Sequence, residues 1–173
     1  ISKPLSLSGS GAPFGGALTT TGSSTASGPI TLPDFAAVGV ASAADTLTLS
    51  GQITGTSALQ KQGPGTLVLS GNSSGSFTGD IFVLDGTLSI SADGNLGTGG
   101  GVTLATDTTL AVTASGSFSH DIVLGVLEPN ITVSPGQTVT WNGQISGGGG
   151  ALTVNGLGTL VLTAANTYSG GTT

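Results

Sequence analysis

The residues best suited to chemistry in this 173-residue chain are one histidine and eight carboxylates. His120 is followed directly by Asp121, and serines are abundant nearby, so the residue types of a hydrolase triad are present. Neighbouring residues on a β-strand point to opposite faces, however, so His120 and Asp121 are not expected to meet. We therefore predict that His120 is a surface or turn residue and that the chain has no catalytic residue.

The carboxylates are of the residue type needed for two further functions, polysaccharide cleavage by paired acids and Ca²⁺ binding. Enzymes of the first kind that are built as β-helices combine Asp with Lys or Arg, and this chain contains no Arg. The Ca²⁺-binding nonapeptide is absent, because Gly99–Gly101 is not followed by its Asp. We predict no metal ligands and no cofactor. The carboxylates are Asp34, Asp45, Asp80, Asp85, Asp93, Asp107, Asp121 and Glu128.

The composition excludes several classes of protein. Charged residues make up 6% of the chain, and only two are Lys or Arg, so a nucleic-acid partner is not expected. The absence of Cys excludes disulfide scaffolds and zinc fingers. A mean hydropathy of +0.38 argues against disorder, while no apolar run is long enough for a membrane helix. The segment is therefore predicted not to insert into a membrane.

Short alternating segments must position these side chains. In 46–50 and 87–91, apolar residues alternate with Ser or Thr, as in a strand with one buried face, and 66–70 has the same pattern with Val68 between its two leucines. The apolar pairs recur every 20 to 22 residues, which predicts a solenoid whose rungs have about 21 residues and stack at about 4.8 Å. The predicted column of first apolar residues is Leu47, Leu67, Leu88, Leu110, Ile131 and Leu152.

A longer repeat overlies the rungs. Residues 46–71 are similar to 138–164 at an offset of 92 to 93 residues, and the copies extend to about 46–91 and 138–173. In this alignment Trp141 occupies the strand position of Leu49, so we predict that Trp141 packs in the core. Phe77 and Tyr168 also share one position of the repeat.

The repeat resembles the autotransporter passenger-associated repeat, whose pattern is roughly GxGTLxLxGxNxYxGGTT. The first copy reads Gly63-Pro64-Gly65-Thr66-Leu67-Val68-Leu69-Ser70-Gly71-Asn72, and the second runs from Gly156 to Thr173. The resemblance covers residues 45–173 and implies a right-handed parallel β-helix on the surface of a Gram-negative bacterium. Residues 1–44 show little of it, and we predict an N-terminal strand plus a cap or insertion, within 34–45, continuous with the solenoid.

The two ends of the chain complement each other in sequence. The chain stops inside the motif, and Gly170-Gly171-Thr172-Thr173 followed by Ile1–Ser8 matches residues 79–91 with one residue missing. In that alignment Leu5 and Leu7 fall on Leu88 and Ile90. We predict head-to-tail assembly with other copies, or with tandem repeats of a longer chain. The residues assigned to it are Ile1, Leu5, Leu7, Gly170, Gly171, Thr172 and Thr173.

These observations favour a structural function outside the cell. We predict an extracellular β-helical rod, the stalk or fibre of a bacterial surface adhesin or biofilm filament. Its predicted partners are other copies of itself and a host or matrix carbohydrate. Two alternatives stay open: a carbohydrate-binding or carbohydrate-active β-helix, and a pilin-like subunit with an antiparallel β-sandwich that donates a strand.

Overall fold

The fold is described from a computed structural model, which covers residues 1–11, 15–149 and 151–173. Residues 12–14 of the predicted N-terminal region lie outside this description. Most of the regular structure consists of short strands, because alternating aliphatic and Thr or Ser side chains suit a pleated surface. Gly, Asn and Asp end the strands and form the turns between them.

Strands follow one another closely along the described residues, and one 3-10 helix, Asp93–Leu96, lies among them. In chain order the strands are β1 Leu5–Ser6, β2 Leu18–Thr20, β3 Ser24–Ala26, β4 Ile30–Thr31, β5 Ala36–Val40, β6 Thr46–Leu49, β7 Ile53–Thr54, β8 Leu59–Gln62, β9 Thr66–Leu69, β10 Ile81–Val83, β11 Thr87–Ile90, β12 Val102–Leu104, β13 Thr109–Val112, β14 Gly116–Phe118, β15 Ile122–Leu124, β16 Asn130–Val133, β17 Thr138–Trp141, β18 Ile145–Gly147, β19 Thr153–Gly156 and β20 Thr159–Leu162.

The chain passes through three faces in turn and then repeats the circuit one rung higher. Face 1 contains β1, β4 and β7 and, after an interruption, β14, β17 and β20. Face 2 contains β2, β5, β8, β10, β12, β15 and β18, and face 3 contains β3, β6, β9, β11, β13, β16 and β19. The paired strands run parallel, which confirms a parallel β-solenoid and is unlike the antiparallel sandwich of the pilin-like alternative. It has about seven turns of roughly 22 residues.

The buried column of face 3 follows the predicted spacing for most of its length. Its in-register members are Leu47, Leu67, Leu88, Leu110 and Ile131, as predicted. The last predicted member is wrong, because Ile131 pairs with Val154 and Leu152 instead forms a bridge with Thr172. The turn between β16 and β17 lengthens that rung to 23 residues, and a corner loop can lengthen without disturbing the strand after it.

The two copies of the longer repeat lie on different faces. The first copy places β9 on face 3, whereas the corresponding strand of the second copy, β20, lies on face 1. Trp141 is fully buried as predicted, but its column contains Phe118 and Leu162 on face 1, while Leu49 belongs to face 3. An offset of 92 to 93 residues is four rungs plus one further face, so the second copy is rotated by one face.

Face 1 is interrupted between β7 and β14, and polar side chains replace the missing ladder there. The backbone N–H of Ile53 donates to the buried Ser73 hydroxyl at 3.0 Å. Asn95, in the 3-10 helix and 4% exposed, donates from Nδ2 to the Gly71 carbonyl at 3.1 Å. Its Oδ1 accepts from the backbone N–H groups of Ser91 and Ala92 at 3.0 and 2.8 Å. The bonds to Ser73 and Gly71 connect successive rungs where no strand is available, while the two bonds to Asn95 Oδ1 close the turn after β11.

The first strands continue the same three faces. Strand β5 lies inside the stretch 34–45 that we predicted to hold a cap or insertion. It pairs with β2 on one side and β8 on the other, and all five of its residues are buried.

Candidate functional site

His120 lies at the corner that follows β14, and its side chain is 6% exposed. His120 therefore lies in a turn, as predicted, but not at the surface. The corner is enclosed from both sides, since Asp93 contacts the imidazole from the preceding rung and Trp141 donates from Nε1 to the His120 carbonyl at 2.8 Å from the following rung. Such stacking buries a corner side chain that a single strand would leave exposed.

Asp93 is the centre of this polar cluster. One carboxylate oxygen accepts from His120 Nδ1 at 2.8 Å and from the Ser119 backbone N–H at 2.9 Å, and the other accepts from the Ser119 hydroxyl at 2.8 Å. Burial by itself would raise the pKa of Asp93, but the bonds from Ser119 and His120 outweigh it and hold this pKa below its ordinary value. An ionised Asp93 requires the proton on Nδ1, so neutral His120 has Nε2 as an acceptor.

The structure thus pairs His120 with Asp93 and not with its neighbour Asp121, as the alternation of a strand requires. The two paired residues are 27 positions apart, which is one rung plus the width of a corner. The rung period could have indicated that His120 meets a residue about one rung earlier in the chain. Because corner lengths vary, the period alone does not single out Asp93 as that residue.

The cluster does not have the geometry of a serine hydrolase. The Ser119 hydroxyl donates to Asp93 and not to the histidine. One GxSxG string is present at residues 71–75, but its Ser73 is fully buried and accepts from the backbone of Ile53. Within the described part of the chain, His120 Nε2 is buried without a hydrogen-bond partner, so no serine is activated by it.

A cavity of about 270 Å³ lies beside the cluster, where face 1 lacks strands. Asp121, one of its lining residues, accepts from the backbone N–H of Gln144 through Oδ1 at 2.8 Å. The glycines of its wall are required by close packing, since a Cβ on Gly100 would lie 2.0 Å from the Gly79 carbonyl oxygen of the rung below. The lining residues are Ser74, Asp93, Gly97–Gly101, Ser119, His120 and Asp121.

Three other carboxylates form a row at the corner between faces 2 and 3. Asp85, Asp107 and Glu128 are exposed and stand two residues before the successive face 3 strands β11, β13 and β16. Among residues 1–11, 15–149 and 151–173, no group of three His, Cys, Asp or Glu side chains is arranged to hold a metal ion.

Lys61 is a fully buried cation on the inner side of face 2. Its Nζ donates to the backbone carbonyls of Gln62, Gly63 and Asp85, which closes the corner between faces 2 and 3. Burial lowers the pKa of Lys61 to about 8, and the nearby Asp85 carboxylate opposes this shift.

The residues assigned to head-to-tail assembly lie in two groups, in the first and last rungs. Ile1 is 64% exposed, and its amino group donates to the Thr25 carbonyl at 2.6 Å. Leu5 pairs with Ile30, and Leu7 is buried. In the other group Thr172 bridges to Leu152, and Thr173 exchanges backbone bonds with Leu152 and Val154. Gly170 is half-buried and Gly171 exposed.

Comparison with known proteins supplies relatives for this geometry. The passenger-associated-transport-repeat family matches at residues 59–90 and 152–173. The chain is 38% identical over 152 residues to the adhesin BmaC autotransporter of Brucella suis biovar 1 (strain 1330), an alignment that covers 79% of this chain and 4% of that protein. The chain thus spans a small fraction of this relative. No solved structure matches the chain. No helix in the described residues has the length and apolar character needed to cross a bilayer.

Proposed function

Because the chain belongs to the passenger-associated-transport-repeat family of autotransporter passenger domains, we propose that it is part of the stiff stalk of a Gram-negative surface adhesin. Its role in this proposal is mechanical and not enzymatic. The relative that supports an adhesive role is itself named an adhesin. The stalk role extends equally to a fibre or biofilm filament made of the same rungs.

The observation that carries the proposal is the continuity of the parallel ladders. Faces 2 and 3 each contain seven hydrogen-bonded strands, and large aliphatic side chains stack above one another inside them. Each fully buried aliphatic contributes about 1.5–3 kcal/mol, so every rung is stabilised by its neighbours. Length in such an array grows with rung number at about 4.8 Å per rung, without cofactors or charged interfaces.

The stalk role is tested by insertion. One, two and three tandem copies of the chain are inserted between two rungs of a β-helical passenger, and molecular length is measured by electron microscopy. Each copy is expected to lengthen the straight shaft by about 34 Å, which is seven rungs at about 4.8 Å. A Gly/Ser linker of equal residue number serves as the control. Copies that leave the shaft unextended, or that bend it as freely as the linker does, would refute the stalk role.

The end rungs further support addition of another rung by strand pairing. The last backbone pairing, through Thr172, is on face 3, and β1 with Leu5 lies on face 1, the face that follows face 3 along the chain. Half-buried apolar side chains line both ends, including Leu18 in one rung and Leu160 in the other. We therefore propose that the end rungs stack on each other, between copies or along tandem repeats.

Light scattering and electron microscopy of the purified chain test this assembly. Filaments that lengthen with concentration are expected, and they should shorten or disappear when residues 1–8 are deleted or when Leu5→Lys places a charge in the joint. A monomeric wild-type chain excludes stacking between separate copies. Filaments that persist in both variants would show that the assigned N-terminal residues do not form the joint between copies.

A further inference from the structure

The cavity beside His120 combines a rigid wall with a polar lining. Its volume of about 270 Å³ is near the lower end, about 300 Å³, of the range for small-molecule sites. Three donors hold the Asp93 carboxylate, and the glycine wall packs directly on the rung below. Preformed sites lose little entropy when a ligand binds, so this rigidity favours binding.

The lining presents mainly acceptors of hydrogen bonds. Asp121 uses Oδ1 for the Gln144 backbone, and its carboxylate retains further acceptor sites for a ligand. The hydroxyl of Ser74 can accept or donate. A ligand that suits this lining must therefore bring several donors into a small volume, as the hydroxyl groups of a sugar ring do.

Charge narrows the choice of ligand. Two carboxylates, Asp93 and Asp121, line the cavity, and neither Lys3 nor Lys61 does. An anionic sugar would meet repulsion without a compensating cation. We propose that this cavity binds one neutral, hydroxyl-rich sugar ring of a glycan, with Asp121 and Ser74 as the recognising side chains. This inference rests on the proposed adhesin function and adds a ligand class and a location to it.

The chain contains a matched pair of residues for the test. Asp80 and Asp121 both stand immediately before a strand of face 2, and each accepts a backbone N–H from the next rung, Asp80 from Gly101 at 3.0 Å and Asp121 from Gln144 at 2.8 Å. Asn retains that acceptor at both positions. Only Asp121 is a lining residue of the cavity, so Asp121→Asn alters the lining and Asp80→Asn controls for loss of a corner charge.

Saturation-transfer NMR and calorimetry on the intact chain measure binding of the methyl glycosides of glucose, galactose, mannose and N-acetylglucosamine, with sialic acid as the anionic probe. We expect at least one neutral glycoside to bind. Asp121→Asn should weaken it about tenfold, the loss of one charge-assisted hydrogen bond, while Asp80→Asn binds like wild type. Ser74→Ala is a second lining variant, whose side chain is exposed, so its folding is not in question.

Three results would overturn the inference. If the wild-type chain binds none of the neutral glycosides, the cavity is not a sugar-binding site. If sialic acid binds as tightly as the neutral sugars, the two carboxylates do not select against anionic ligands. If the chain binds Ca²⁺ but no sugar, and Asp121→Asn abolishes the Ca²⁺ binding, the cavity is a cation site. Each of these leaves the shaft-length measurement unaffected, so failure of the sugar site is distinguishable from failure of the stalk role.

Discussion

Replacing Asn95 by alanine is expected to lower the free energy of unfolding by about 3 kcal/mol. The side chain is 4% exposed and serves three backbone groups, the N–H groups of Ser91 and Ala92 and the carbonyl of Gly71. Alanine leaves all three without their partner in a region where face 1 has no strand to replace it. Each unsatisfied group that is only partly hydrated costs about 1 kcal/mol, which gives the sum.

Urea unfolding followed by the fluorescence of Trp141 measures this loss, because Trp141 is fully buried and is the only Trp of the chain. Amide hydrogen exchange at Ser91 and Ala92 provides a local readout, and a loss of about 3 kcal/mol corresponds to exchange faster by about a hundredfold. The control is Asn155→Ala, whose exposed side chain makes one bond to Asn130 at 3.0 Å and should cost less than about 0.5 kcal/mol. Equal stability of the two variants would refute the claim that Asn95 supplies the hydrogen bonds that a strand of face 1 would otherwise make.

Three other predictions concern packing and charge. Phe118→Ala removes the ring stacked 5.2 Å from that of Trp141 and should cost about 3–5 kcal/mol in urea unfolding, and a loss below about 1 kcal/mol would contradict the packing. Gly143→Ala should lower the melting temperature because its Cβ would lie 2.0 Å from the His120 carbonyl oxygen, whereas Gly148→Ala, with nothing within 4 Å, should not; equal melting temperatures would contradict this. Because the pKa of Lys61 is about 8 in the folded chain and 10.5 when free, the folded state binds fewer protons between these values, so stability should rise from pH 8 to 10.5. Lys61→Met should abolish this rise, and a flat wild-type profile would show that the ammonium is not held in a buried site.

The inner columns were predictable because parallel stacking places each strand directly above its equivalent in the preceding rung. The column from Leu47 to Ile131 repeats an aliphatic residue at nearly constant spacing, and the structure confirms it. The next member was placed at Leu152 and is Val154, because loop length between strands carries little energetic penalty and is not encoded in the alternation. Register is thus predictable over strands and less so across corners.

The internal repeat shows a second limit of sequence reasoning. Matching residues 46–71 to 138–164 correctly identified two copies of one motif, whose family also matches at residues 59–90 and 152–173. The match did not indicate that the copies lie on different faces, since the face depends on the summed lengths of all rungs between them. For the same reason Trp141, which was correctly predicted to be buried, lies in the column of Phe118 and not in that of its repeat equivalent Leu49.

The amino-acid sequence by itself determined the β-solenoid, its period of about 21 residues and the identity of most inward side chains, because these follow from local alternation repeated along the chain. Only the tertiary structure decided which corner residues meet. Asp93, Ser119 and His120 form one cluster, and Asn95 replaces a missing ladder, through contacts across 24 to 27 positions whose spacing is set by turn lengths. Strand periodicity is a property of neighbouring residues, whereas a contact between corners depends on the whole path of the backbone around a rung.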